Sequence, residues 1–174
     1  MSTFIKLAKN DKRVLALQKQ LSNGLYHIDL EALETEIDSL HMNRKVRKLK
    51  TEEIISSFQK KFIDAALQNQ AFRSRLVEIK VKNFRIAARL EEHLDVIKPY
   101  LRTQYADSLA KFKTVADKNA AINNVLEKPM RFLQKLENLD KVLETLIKDI
   151  DQCSFALKHL IDAMGFNRDK EVRF

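Results

Sequence analysis

Two glycines, two prolines, one cysteine and no tryptophan occur in these 174 residues. With so few turn formers, long uninterrupted elements are expected. Gly24 and Gly165 stand alone, so no glycine-rich loop is available to cradle phosphates. The lone Cys153 excludes an intramolecular disulfide and fits a reducing compartment. The four histidines, at 27, 41, 93 and 159, are scattered, and no H-E-x-x-H, E-x-x-H or C-x-x-C spacing offers a metal site. Ser154 has no base nearby in sequence, and His93 reads as a partly buried histidine rather than a catalyst. No enzyme, cofactor or metal is therefore expected. No apolar run approaches the ~18–20 residues of a membrane span, and no signal-peptide pattern opens the chain. A soluble, cytoplasmic protein with no membrane partner is the expectation.

What is present is helix-forming. Leu, Lys, Ala, Glu and Gln dominate, and the 45% hydrophobic content is enough for ordered structure. A first helix is predicted over 3–22, with Phe4, Leu7, Val14 and Leu21 as a partial stripe and Asn23-Gly24 as its stop. Asp29 looks like the cap of a second helix carrying Leu30, Leu33, Ile37 and Leu40. Thr51-Glu52-Glu53 repeats the start signal. From Ile55 to Ile97, inward positions then alternate by 3 and 4 without a break, through Phe62, Asn69, Leu76, Asn83, Leu90 and His93. That is a heptad seam, and Asn69 and Asn83 share one heptad position, where a buried Asn fixes register. A patchier stripe on the other side, Ile63, Leu67, Val77, Val81, Phe84 and Ala88, predicts a helix sandwiched between neighbours.

Pro99 is expected to end this helix or open the next. Leu101, Tyr105, Leu109 and Phe112 are inward candidates in a less regular return segment. Pro129 opens a last helix whose seam runs Phe132, Leu136, Leu139, Leu143, Leu146, Ile150, Cys153, Leu157, Leu160 and Met164, with Gly165 as its stop. The fold class is all-α: an elongated helical bundle or coiled coil, completed by homo-oligomerisation. Three segments follow: a helical pair with a basic end (1–50), a long basic heptad helix with its return (51–128), and a C-terminal heptad helix (129–174). Oligomerisation is assigned to Leu136, Leu139, Leu143, Leu146, Ile150, Leu157 and Leu160 of the last segment.

The net charge of +8 has one source. Residues 41–89 hold thirteen Lys and Arg against four acids, while 1–40 hold five against six and 90–174 fourteen against fourteen. A charge this localised is the footprint of a polyanion-binding surface. Arg44, Lys45, Arg47, Lys48 and Lys50 form a dense cluster; Arg75, Lys82, Arg85 and Arg89 flank the seam of the long helix. Such a strip can follow a phosphate backbone, each contact releasing a counterion. The competing reading is that these charges solvate a coiled coil and pair with acids on a neighbour. Phe58, Phe62, Phe72 and Phe84 intersperse the cations and suit base stacking, but three are seam positions and core packing is the stronger account.

Three segments in order resemble a known family, the UvsY-type recombination mediators of tailed phages. Ile86-Ala87-Ala88-Arg89-Leu90-Glu91 resembles its Lys-Ala-Arg-Leu-Asp motif. Lys113-Thr114-Val115-Ala116-Asp117-Lys118 is similar to its K-T-V-x-x-A-D-K element, and Asp151-Gln152-Cys153-Ser154-Phe155-Ala156-Leu157 to its D-x-C-S-x-A-L. The likeness covers about residues 76–166. It implies a homo-oligomer that binds single-stranded DNA and helps load a RecA-like recombinase onto strands covered by single-strand-binding protein, in the cytoplasm of an infected host cell. Arg89 matches the motif's Arg, whereas Ala87 stands where its Lys would be; Arg85 and Lys82 lie about one turn away. The alternatives are a structural or scaffolding coiled-coil protein and a small helical inhibitor or adaptor of another protein.

Overall fold

The computed structural model describes residues 3–22, 26, 28–48 and 58–171, and the side chains of all of these except 47, 48, 58–60, 161 and 163–171. The regular elements are helices: α1 (Thr3–Lys9), α2 (Lys12–Ser22), α3 (Leu30–Met42), a 3-10 turn (Lys45–Lys48), α4 (Phe58–Gln104), α5 (Ala106–Leu109), α6 (Val115–Val125) and α7 (Glu127–Glu171). No strand occurs among the described residues. The all-α expectation holds. The stop at Asn23-Gly24 and the start at Thr51, with Ile55, lie outside the described residues.

The single helix expected over 3–22 is two helices. Asp11 breaks it, because a short carboxylate satisfies free backbone N–H groups at a helix start better than it serves an interior. Its Oδ1 accepts from the Arg13 N–H at 2.8 Å, and its Oδ2 accepts from the hydroxyls of Tyr100 at 3.0 Å and Tyr105 at 2.9 Å. The break turns Phe4 and Ala8 of α1 inward along with Val14 and Leu17 of α2, and leaves Leu7 exposed. Phe4 meets Tyr105 and Phe112 edge-on, at 5.9 and 6.3 Å between ring centroids. Each fully buried side chain of this size contributes roughly 1.5–3 kcal/mol. At the start of α6, Thr114 accepts from the Asp117 N–H at 3.0 Å and Asp117 accepts from the Thr114 N–H at 3.3 Å, a reciprocal cap.

Pro99 does not end a helix. α4 runs through it to Gln104, because Ile97 and Leu101 on either side are buried in the core. Their packing offsets the ~3 kcal/mol that an interior proline costs. Gly165 likewise does not stop α7, which continues to Glu171. Glycine permits the left-handed stop at ~1 kcal/mol of helix propensity, but does not compel it.

The chain divides into two compact units that cut across the three consecutive segments expected. The first comprises residues 1–29 and 82–140, the second 30–81 and 141–174. In the first, α1, α2 and α6 gather with Tyr26, Leu90, Leu94, Leu101, Ile122 and Leu126 into one core. There α4 and α7 are held together by the buried Asn83, whose amide donates to the Leu136 carbonyl at 2.8 Å. In the second unit they are joined by Arg73–Asp151 at 2.5 Å and Lys80–Glu144 at 3.9 Å. Rising numbers on one helix meet falling numbers on the other, so the pairing is antiparallel.

Both seams are filled within the chain. On α4, Phe62, Ala65, Asn69, Leu76, Ile79, Asn83, Leu90 and Ile97 are buried, and Phe72, Ile86 and His93 half-buried. On α7, Leu136, Leu139, Leu143, Ile150 and Leu157 are buried and Leu146 half-buried. These α7 residues were expected to meet other copies; instead, facing elements of the same chain cover them. Leu160 alone of that set is exposed. A heptad stripe states that a partner exists, not whose chain supplies it.

Candidate nucleic-acid interface

The fold sorts the basic stretch by what it brings opposite each cation. Arg44, expected on the surface, is 2% exposed. Its Nε donates to Asn69 Oδ1 at 3.2 Å and its Nη1 pairs with Asp149. A guanidinium so enclosed cannot reach a phosphate, and this corrects its assignment. It ties the chain just before the 3-10 turn to α4 and α7. Asn69, expected to fix register, receives Arg44; its own Nδ2 has no hydrogen-bond partner among the described residues.

Arg75 is exposed but engaged. Its Nε donates to Glu36 at 2.6 Å, its Nη2 to the other Glu36 oxygen at 3.2 Å, and its Nη1 to Glu78 at 3.1 Å. This two-oxygen grip on Glu36 raises the Arg75 pKa, and the bond from Arg75 holds the Glu36 carboxyl below its ordinary range. Arg75 is therefore not a free cation. Lys45 is exposed, with its backbone N–H bonded to Gln68 Oε1 at 2.7 Å. Arg47 and Lys48 lie in the 3-10 turn with side chains outside the description, and Lys50 lies outside the described residues. The second unit thus meets its cations with acids drawn from 31–38 and 144–151, and holds sixteen Lys and Arg against fourteen acids. The first unit holds sixteen against ten.

Within that first unit, Lys82, Arg85 and Arg89 are exposed and have no ion-pair partner among the described residues. Each immediately precedes an inward residue of α4: Asn83, Ile86 and Leu90. Sequence reasoning passed over three counterparts on α7. Lys128, Arg131 and Lys135 repeat the 3-then-4 spacing, each preceding an inward residue: Pro129, Phe132 and Leu136. All three are exposed, and only Arg131 pairs, with Glu127 at 2.6 Å. The shared spacing was the available signal, masked because 90–174 is neutral in sum.

The flank on which these six sit follows from helix geometry. At about 100° per residue, positions one step before the seam occupy one flank of each helix. In an antiparallel pair, corresponding flanks lie on the same side. The second unit displays this rule on the other flank: Arg73, Lys80, Glu144 and Asp151 each follow a seam residue, and they pair across the helices. Counting from the Asn83–Leu136 bond along oppositely running helices, Lys82, Arg85 and Arg89 stand level with Glu137, Gln134 and Met130, and Lys135, Arg131 and Lys128 lie two or three residues from those levels. The six cations share one flank of the pair without standing level with one another.

The phenylalanines divide differently from the expectation. Phe62 is buried and Phe72 half-buried, as seam positions should be; the Phe58 side chain is not described. Phe84 is 65% exposed, but it follows Asn83 and so lies on the flank away from the cations. Phe132, the inward residue after Arg131, is half-buried. The half-buried seam residue His93 has its Nδ1 hydrogen-bonded to the buried Tyr26 hydroxyl. Burial pushes the Tyr26 hydroxyl pKa up, partly opposed by the positive charge of nearby Arg89.

Among the described residues, no group of three or more His, Cys, Asp and Glu is placed to hold a metal ion. Nor is any described helix long and apolar enough to cross a membrane. No family model matches the chain, and neither a curated protein nor a solved structure matches it.

Proposed function

We propose that this protein binds single-stranded nucleic acid, without catalysis, through the cation ladder of its first unit. The supporting observation is that the exposed cations Lys82, Arg85 and Arg89 of α4 and Lys128, Arg131 and Lys135 of α7 share one flank of the pair, with Glu127 pairing to Arg131 among them. Like charges gathered on one flank repel one another, and a polyanion relieves that repulsion. Six cations on one flank, with no groove-reading element, suit sequence-independent phosphate contact. Loading a RecA-like recombinase onto strands covered by single-strand-binding protein is the role implied by the likeness to recombination mediators. Arg89, the residue matching that family's motif, lies in the ladder.

A labelled oligo-dT, titrated by fluorescence anisotropy at two salt concentrations, tests this. Binding is expected to weaken steeply with salt. Replacing Lys82, Arg85 and Arg89 together by Ala should flatten the slope of log K against log salt by about 2, at ~0.7 per phosphate contact on a single strand. No binding at low salt, or an unchanged slope, would sink the proposal. A second reading, a scaffold or adaptor, is favoured by Ile63, Leu67 and Val81. These were expected to be sandwiched, yet they remain exposed on α4 in the second unit. Light scattering addresses that surface and the proposed homo-oligomer: a dilute monomer would remove both.

A further inference from the structure

Between α2 and the start of α7, within the first unit, lies an open cavity of about 510 Å³. Leu15, Leu21 and Phe132 supply its apolar surface, Gln18 and Ser22 its polar surface, and Lys19 and Lys128 its charge. No acid lines it. Neither lysine has an ion-pair partner among the described residues, and the nearest acid in sequence, Glu127, is taken by Arg131. Ser22 spends its hydroxyl proton on the Gln18 carbonyl at 2.7 Å, so the Gln18 amide is the adaptable polar group. The cavity falls within the 300–1,000 Å³ of small-ligand sites, and its lining has their character: mostly apolar, with a few placed polar groups.

Its position decides the occupant. Lys128 is both a wall of this cavity and the last rung of the cation ladder, and Phe132, one turn further along α7, also lines the cavity. We propose that the cavity is a base pocket. It receives one unstacked nucleobase of the strand whose phosphates follow the ladder, with the base against Phe132 and the flanking phosphates on Lys19 and Lys128. This inference rests on the nucleic-acid reading above. It adds that a base, and not only the backbone, is recognised, and that α2 contributes to the site. Leu15, 47% exposed at the lip, then has a purpose that solvent exposure alone does not give it.

The absence of tryptophan supplies the test. Phe132→Trp places a sole indole in the cavity, and a stacked base quenches its fluorescence. Titration uses oligo-dT and an abasic strand of equal length and charge. Oligo-dT should quench and the abasic strand should not, and the wild type should bind oligo-dT about tenfold more tightly, the contribution of one stacked base. Phe132→Leu, which keeps apolar bulk, should collapse that ratio towards one while leaving abasic affinity unchanged. Leu15→Trp, at the exposed lip, reports the same event without altering the half-buried ring. Equal affinity for both strands with no quench at either position overturns the base pocket while leaving the ladder intact. Failure of both strands to bind overturns the two readings together. Quenching by decanoate but by neither strand overturns the base in favour of an amphipathic carboxylate.

Discussion

Replacing Arg44 by Met separates a structural cation from a phosphate contact. The guanidinium is enclosed, with Asn69 wholly buried on one side and Asp149, 50% exposed, on the other. Methionine preserves much of the stem volume, and exchanging a buried ion pair for apolar packing is itself often near neutral. The damage falls on Asn69. Its Nδ2 is already without a partner, and losing Arg44 strands its Oδ1 as well. A buried polar group left unsatisfied costs about 1–3 kcal/mol. For a chain of this length that corresponds to a fall in Tm of about 2–12 °C. Asp149→Ala should cost more, about 3–5 kcal/mol, although it removes the exposed partner, because it leaves a buried charge uncompensated. Circular dichroism at 222 nm during a thermal ramp measures both variants, and oligo-dT anisotropy measures the function. Arg44→Met should bind oligo-dT as the wild type does at temperatures where it is folded. Weakened binding with an unchanged Tm would show that Arg44 reaches phosphate and that its burial has been misjudged. Asp149→Ala proving milder than Arg44→Met would refute the energetic ordering.

Alkaline unfolding should show the tyrosines of the first unit. Burial, then the hydrogen bond to Asp11, pushes the Tyr105 hydroxyl from its ordinary 10.0 up to about 12, and the bond to Asp11 also raises Tyr100. A folded pKa above the unfolded one means that this stability is fully present below pH 10 and is lost as pH rises towards 12. Absorbance at 295 nm should therefore show delayed tyrosinate formation coinciding with loss of helix; titration near pH 10 in a folded chain would contradict it. At acid pH the sign reverses for Asp11. Burial acts upward on its carboxyl, but the bonds from the Arg13 N–H, Tyr105 and Tyr100 outweigh it and hold the pKa below 3.8. Its contribution is present above that value and fades below it, so Asp11→Asn should flatten the acid limb of a stability–pH curve. Asn83→Leu should raise Tm by a few degrees, since it removes a buried Oδ1 that has no partner at a cost of one hydrogen bond to Leu136. A lower Tm would mean that the Asn83 bond outweighs the orphaned oxygen.

Some features were legible because local chemistry decides them. Asp29 was read as a helix cap, and α3 starts at Leu30 directly after it. Others depended on neighbours far along the chain. Pro99 was read as a boundary because the cost of an interior proline is local, whereas the burial of Ile97 and Leu101 that offsets it is not. Asp11 was not recognised as a break, since the hydroxyls that reward it, on Tyr100 and Tyr105, lie some ninety residues away.

By itself, the sequence determined the helices and their inward faces. The 3-and-4 alternation is a property of side-chain direction along a helix, and apolar residues repeated at that period must be covered whatever covers them. Thus Leu76, Asn83, Leu90, Leu136 and Leu143 are inward as expected. Only the tertiary structure decided who covers them, and which charges remain. Antiparallel pairing of α4 with α7 closed the seams within one chain, and brought Asp149 to Arg44, Asp151 to Arg73 and Glu144 to Lys80. The same pairing set Lys128, Arg131 and Lys135 on one flank with Lys82, Arg85 and Arg89. Charge acts through space and falls with distance, so a count along the chain locates a basic stretch but cannot say which of its cations meets an acid.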